Sequence, residues 1–231
     1  MINRHIMHAA SLASRWHAKQ RRKGADQEPY INHLIEVAAL VSAAGAGADV
    51  ICAALLHDAI EDQDISAAKI THLFGPHVAA LVVEVSEDKA LPKAERKAIQ
   101  IAVASNLSPG AKLIRLADKI SNVRSVAASP PVDWSQERRI DYIVFCRKVV
   151  AGLRGVDAAL EGMFDQAADA AHEVVNGRGG IMTEPKPKPK PKPKPAPEML
   201  TESELAALRQ DAKEASDFGQ KAFAHLRPSP I

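Results

Sequence analysis

An all-α fold follows from three features of the sequence. Apolar positions recur with helical spacing through most of the first 175 residues, no clean alternating segment appears among them, and alanine is abundant while aromatic residues make up only 4%. The apolar pattern places helices at 6–22, 32–44, 49–61, 66–74, 76–86, 92–104, 109–125, 135–154 and 156–175. Asp49 can cap the helix that follows it, and Ser66 precedes an apolar run. Pro76, Pro92 and Pro109 suit first-turn positions, where no backbone donor is missed. Phe74-Gly75-Pro76 reads as a break between two helices. The run Val82 to Ser86 is β-branched enough for a strand, yet an isolated strand leaves its backbone groups unpaired, so a helix is expected there too.

Composition narrows the function classes. The 231 residues are enough for one well-buried domain with appendages, and an apolar share of 46% is ordinary for a globular chain. Thirty Lys and Arg against twenty-eight Asp and Glu leave a formal charge of +2. That balance gives no global pull toward nucleic acid or a membrane surface, so any anion recognition must be local. The two cysteines, Cys52 and Cys146, lie in apolar helical stretches and read as core residues rather than a disulfide. The N-terminal stretch has no continuous apolar run of signal-peptide type and no segment reaches membrane-span length, so a cytoplasmic protein is expected.

The character changes near Gly177, which divides the chain into an expected catalytic domain at 1–176, a linker at 177–198 and an extension at 199–231. The linker contains an alternating Pro-Lys repeat that favours extended polyproline II and suits a solvated, semi-rigid spacer. The extension opens with Thr201 and Glu204 in capping-box spacing and carries Leu205, Leu208, Ala212 and Phe218 near one helical face. One helix of that length does not fold alone, so it is either a docking helix for this chain, another copy or a partner, or a frayed amphipathic tail.

The segment from Asp49 to Asp62 carries the chemistry. An apolar helix ends in His57-Asp58, followed by Glu61-Asp62, and one turn separates Glu61 from His57 and Asp62 from Asp58. A histidine and three carboxylates gathered beside an apolar run repel and desolvate one another unless a cation compensates. The alternative, a solvated terminus, is disfavoured because the helix dipole does not welcome acids at a C-terminal end. A second polar pair, Asp118 and Asn122, shares one face of an otherwise apolar helix, and His33 lies within another. Taken alone, Asp118 reads equally as a surface residue and His33 as an ordinary core or surface histidine.

Read together, these positions form an ordered series: RRK at 21–23, PYINH at 29–33, AALLHDxxED at 53–62, FG at 74–75, EDKxLPKxERK at 87–97, SPGAKLxxLADKxxN at 108–122 and WSxxR at 134–138. The series resembles the small alarmone hydrolases of the HD superfamily, of metazoan SpoT-homologue type, and the hydrolase domains of the bifunctional alarmone synthetase/hydrolases. It spans roughly residues 8–170.

The resemblance implies an HD-domain helical bundle holding one Mn²⁺ through His33, His57, Asp58 and Asp118, with Glu61 and Asp62 jointly positioning or deprotonating water. Ligand chemistry alone leaves Mn, Fe, Zn and Ni open. The residues matching the relatives' substrate contacts are Arg22, Lys23, Tyr30, Lys89, Lys93, Arg96, Lys97, Asn122, Arg138 and Tyr142. As a set they could neutralise a nucleotide bearing two pyrophosphates. The implied reaction converts guanosine tetraphosphate to GDP and pyrophosphate, and the pentaphosphate to GTP and pyrophosphate. Alternatives are hydrolysis of an adenosine 3′-pyrophosphate or of the 2′-phosphate of NADPH, and alarmone sensing without turnover. Leu34 stands where the family commonly has a proline after the metal histidine. Synthetase, TGS and ACT regions have no counterpart, so alarmone synthesis is not expected.

Overall fold

A computed structural model describes residues 2–177, all within one compact unit; the expected linker and terminal helix lie outside the described residues. Ten α-helices are present there: α1 (Ile2–Trp16), α2 (Ile31–Ala43), α3 (Ala48–Leu56), α4 (Ala59–Gln63), α5 (Ala67–Phe74), α6 (Pro76–Val85), α7 (Lys93–Val103), α8 (Pro109–Ala128), α9 (Gln136–Ala151) and α10 (Ala158–Val175). The described residues contain no β-sheet, only two isolated bridges, Arg21 with Pro29 and Gly24 with Pro131. The all-α expectation therefore holds, including a helix through Val82 to Val85.

Local chemistry sets several helix starts. The side chains of Ser66, Ser108, Ser135 and Asp157 accept hydrogen bonds from first-turn backbone N–H groups of α5, α8, α9 and α10. Pro76 and Pro109 occupy first-turn positions, whereas Pro92 sits one residue before α7 begins. Asp49 is not a cap: Gly47 takes that position, and Asp49 lies in the first turn of α3.

The core forms around α8, which packs against α2, α3, α6, α9 and α10. Its Ile114, Leu116, Ile120 and Val123 are fully buried and meet the buried stripe Leu160, Phe164, Ala168 and Ala171 of α10, among others. Residues Cys52 to Leu56 of α3 are buried as well, so the sequence just before His57 anchors the site in the middle of the bundle.

Two departures from the sequence expectation matter for the site. The first helix stops at Trp16 rather than reaching residue 22. Backbone pairing of Arg22 N–H with Glu28 C=O and of Tyr30 N–H with Gln20 C=O satisfies the segment outside a helix, and it carries Arg22 and Lys23 to the site. The helix expected over 49–61 is broken at His57 and Asp58, where Asp58 has φ −98° and ψ 2° before the chain re-enters α4. In an unbroken helix, adjacent side chains diverge by about 100°. The break lets His57 and Asp58 aim at one point.

Gly24 is fixed by close approach. A Cβ there would lie 2.3 Å from the Ser129 carbonyl oxygen and 2.4 Å from its hydroxyl. Gly24→Ala is expected to destabilise the fold by about 1–3 kcal/mol in chemical denaturation, because backbone rather than a flexible side chain must give way.

Candidate metal centre and nucleotide cleft

Two helices and one turn bring His33, His57, Asp58 and Asp118 together. His33 comes from the first turn of α2, His57 and Asp58 from the break after α3, and Asp118 from mid-α8. His33 Nε2 lies 3.3 Å from Asp118 Oδ1 and 3.8 Å from Asp58 Oδ2. His57 Nε2 lies 3.1 Å from Asp58 Oδ2 and 3.8 Å from Asp118 Oδ1. Ligand atoms of His33, His57 and Asp58 all fall within 4.8 Å of one another. Both imidazoles and Asp118 are buried.

Hydrogen bonding on the outer side of each ring favours the tautomer a cation needs. His57 Nδ1–H donates to the Ala54 carbonyl at 2.8 Å, leaving Nε2 buried with no hydrogen-bond partner. Ser121 Oγ donates to Glu36 at 2.6 Å and accepts from His33 Nδ1 at 2.8 Å, while Arg124 holds Glu36 at 3.0 Å. Each ring thus turns Nε2 toward the carboxylates, where a divalent cation would take the place of a proton. Tyr30 Oη donates to Asp58 Oδ2 at 2.7 Å, and Asn122 donates to Asp118 Oδ1 at 2.6 Å. Sequence reasoning missed Ser121 and Glu36, which carry no metal-ligand signature of their own. Ser121→Ala is expected to weaken divalent-ion affinity about 10–100-fold in calorimetric titration, with the fold intact.

Titration follows the same geometry. Burial alone lowers the His57 imidazole, but the carboxylate charge of Asp58, 3.1 Å away, and then that of Asp118 outweigh it and push His57 up to about 9. Burial opposes ionisation of Asp58 too, yet His57 and His33 hold its carboxyl well below the usual range. A proton on His57 therefore stands where cationic charge is wanted. Burial, then the Asp58 charge, also keeps Tyr30 protonated as a donor.

Beside this cluster opens a cleft of about 530 Å³, lined by Asp58 and Asp118, by Glu61 and Asp62, and by every one of Arg22, Lys23, Tyr30, Lys89, Lys93, Arg96, Lys97, Asn122, Arg138 and Tyr142. The basic residues differ in how they are engaged. Lys89 pairs with Asp62, Arg96 with Glu87 at 3.1 Å, and Arg22 donates to Asn122 at 3.1 Å. Arg138 lies over the Trp134 ring and 3.7 Å from Asp133. Lys97 lies over Phe145, 4.6 Å from the ring centre. Burial, then the charges of Arg138, Lys97, Lys23 and Arg96, push Lys93 down, as befits a basic wall short of anions. Trp134, Tyr142 and Phe145 form an aromatic cluster on the cleft, with Trp134 and Tyr142 edge-on at 5.2 Å. Trp134 and Phe145 were not singled out from sequence, although Trp134 lies within the WSxxR motif.

Glu61 and Asp62 face different surroundings. Glu61 is pushed up to about 7 by burial, then by Glu87, Asp58 and Asp62, against a smaller opposing effect of Lys89. Asp62 instead receives hydrogen bonds from Gln20 and Lys89.

A helical bundle with paired histidines and an adjacent His-Asp turn at its centre defines an HD-type domain, and the HD domain family matches residues 9–143. The chain belongs to that family. It is 46% identical over 163 residues to the Drosophila melanogaster guanosine-3′,5′-bis(diphosphate) 3′-pyrophosphohydrolase MESH1, covering 70% of this chain and 91% of that protein. The Homo sapiens MESH1 is 43% identical over 158 residues, covering 68% and 88%. A solved structure of a metazoan ortholog of SpoT that hydrolyses ppGpp superimposes with a TM-score of 0.68 at 42% identity, covering 77% of this chain and 97% of that one.

Proposed function

We propose that this phosphohydrolase removes the 3′-pyrophosphate of guanosine 3′,5′-bis(diphosphate), giving GDP and pyrophosphate, and likewise converts the pentaphosphate to GTP and pyrophosphate. The observation that carries the reading is the buried His33, His57, Asp58 and Asp118 cluster opening onto a cleft with paired carboxylates and a basic wall. The relatives named for this activity match about two thirds or more of the chain and most of their own length. The four residues would hold one divalent ion, which we assign as Mn²⁺ on family resemblance, and such an ion polarises a phosphoryl oxygen and eases ionisation of water.

The chain's own residues do the rest. Lys23, Lys93, Lys97 and Arg138, with Arg22, would neutralise and orient the two pyrophosphates through charge-assisted hydrogen bonds. Trp134 and Tyr142 offer aromatic faces to a purine. Glu61 and Asp62 jointly position water and move protons between it and the leaving oxygen. Tyr30 and Asn122 hold the two aspartates in place while remaining open to the cleft.

The test is product analysis with equal amounts of guanosine tetraphosphate, guanosine pentaphosphate, an adenosine 3′-pyrophosphate and NADPH. Pyrophosphate with GDP or GTP as the fastest products supports the reading. Faster release of phosphate from NADPH, or tight guanosine tetraphosphate binding without cleavage, would replace it. For the catalytic domain we assign residues 1–176, with docking on another copy or a partner left to 199–231. Removal of 184–231 without change in oligomeric state, stability or activity would end the docking idea.

A further inference from the structure

Asp62 is held from a direction that the ordered motifs do not mark. Gln20 Nε2 donates to Asp62 Oδ2 at 2.6 Å, while Lys89 donates to Oδ1, so each carboxylate oxygen has its own donor, one from before it in the chain and one from after. Gln20 is itself fixed. Its Oε1 accepts from Gln63 Nε2 at 2.6 Å and from His17 Nδ1 at 2.6 Å, which commits the amide nitrogen to Asp62.

His17 is 2% exposed, and its Nε2 has no hydrogen-bond partner. Burial holds it below the ordinary imidazole value, so it is a neutral ring donating through Nδ1. The ring stacks on Tyr30 at 5.3 Å and 16°, and Tyr30 in turn donates to Asp58. The turn that ends α1 therefore braces both the candidate metal ligand Asp58 and the carboxylate Asp62.

We infer that Gln20 is a positioning residue for the hydrolytic step, its amide locked by His17 and Gln63 so that the Asp62 carboxylate is aimed into the cleft. The inference rests on the proposed hydrolysis for its kinetic consequence, and on geometry alone for its structural one. Lys89 is half exposed, and an ammonium on a four-carbon stem is a point charge without directional constraint, so it neutralises Asp62 but does not fix its angle. The Gln20 amide, braced at its oxygen, can.

Gln20→Met keeps the length and removes the donor. The expected result is a kcat lower by about 10–100-fold with KM within about twofold of the parent, since a displaced carboxylate costs orientation and not ground-state binding. Gln63→Leu, which unlocks the amide without touching Asp62, is expected to lower kcat by a smaller factor, and it decides the matter should Gln20→Met fail to fold. Crystal structures of both variants provide a readout independent of turnover: Asp62 is expected to rotate away from its present direction or to occupy two conformers. An Asp62 unmoved in the folded variants, or a kcat within about twofold of the parent, overturns the inference. If the parent protein itself leaves every nucleotide uncleaved, the functional reading fails while the crystal structures still decide the role of Gln20.

Discussion

Replacement of Asp58 by alanine is expected to lower turnover by about 10³-fold or more and to remove divalent-ion binding, while leaving the bundle folded. Asp58 carries one of the two carboxylates facing both imidazole Nε2 atoms, and it sits in a turn, so its loss opens no cavity in the apolar core. The parent should gain about 3 kcal/mol of stability when the ion is present at about a hundred times its Kd, a gain the Asp58→Ala chain lacks. In the ion-free state the variant's His57 should titrate well below the parent's value of about 9, because the largest charge holding its proton has gone. Differential scanning calorimetry with and without Mn²⁺, and NMR titration of the ring, measure the two effects. Normal Mn²⁺ stabilisation of the variant would remove Asp58 from the ligand set.

Glu61→Gln is expected to reduce kcat about 10²–10⁴-fold, because an amide cannot exchange a proton with water or a leaving oxygen. The same substitution has a pH signature in stability. Glu61 has an ordinary value of 4.5 and is pushed up to about 7 in the folded protein, so folding favours its neutral form. That contribution is complete below pH 4.5 and is lost as pH rises through about 7. In chelator, parent and variant should therefore be similarly stable near pH 5, with the variant ahead by about 1–3 kcal/mol near pH 8. Denaturant titrations at the two pH values measure this. A difference that shrinks with rising pH would contradict the environment assigned to Glu61.

The site's legibility in the sequence divides by distance along the chain. His57, Asp58, Glu61 and Asp62 stand within six positions and announce themselves as acids beside an apolar run. His33 and Asp118 do not, being eighty-five residues apart, and only packing of α2 on α8 brings them to 3.3 Å. The ordered motifs supplied what local chemistry could not. Apolar periodicity continues smoothly through 48–63, so it concealed the break at His57 and Asp58, where side-chain convergence overrides helix propensity. For the same reason Arg21 and Arg22 read as the end of the first helix, although pairing with 28–30 draws them out of it. Ser121 and Glu36, single polar residues on helix faces, and Gln20, a neutral residue beside a basic run, left no trace in the sequence because such residues are ordinarily solvated. Their work is visible only in the distances.

We propose that His33, His57, Asp58 and Asp118 together hold one divalent ion on which hydrolysis of the nucleotide depends. The most direct measurement is titration of chelator-stripped protein with Mn²⁺ while pyrophosphate release from guanosine 3′,5′-bis(diphosphate) is followed. Turnover should be absent without the ion and reach its plateau at one bound ion per chain. Undiminished turnover in the stripped protein, or a plateau unmoved by Asp118→Asn, would rule out this ion site as the source of the activity.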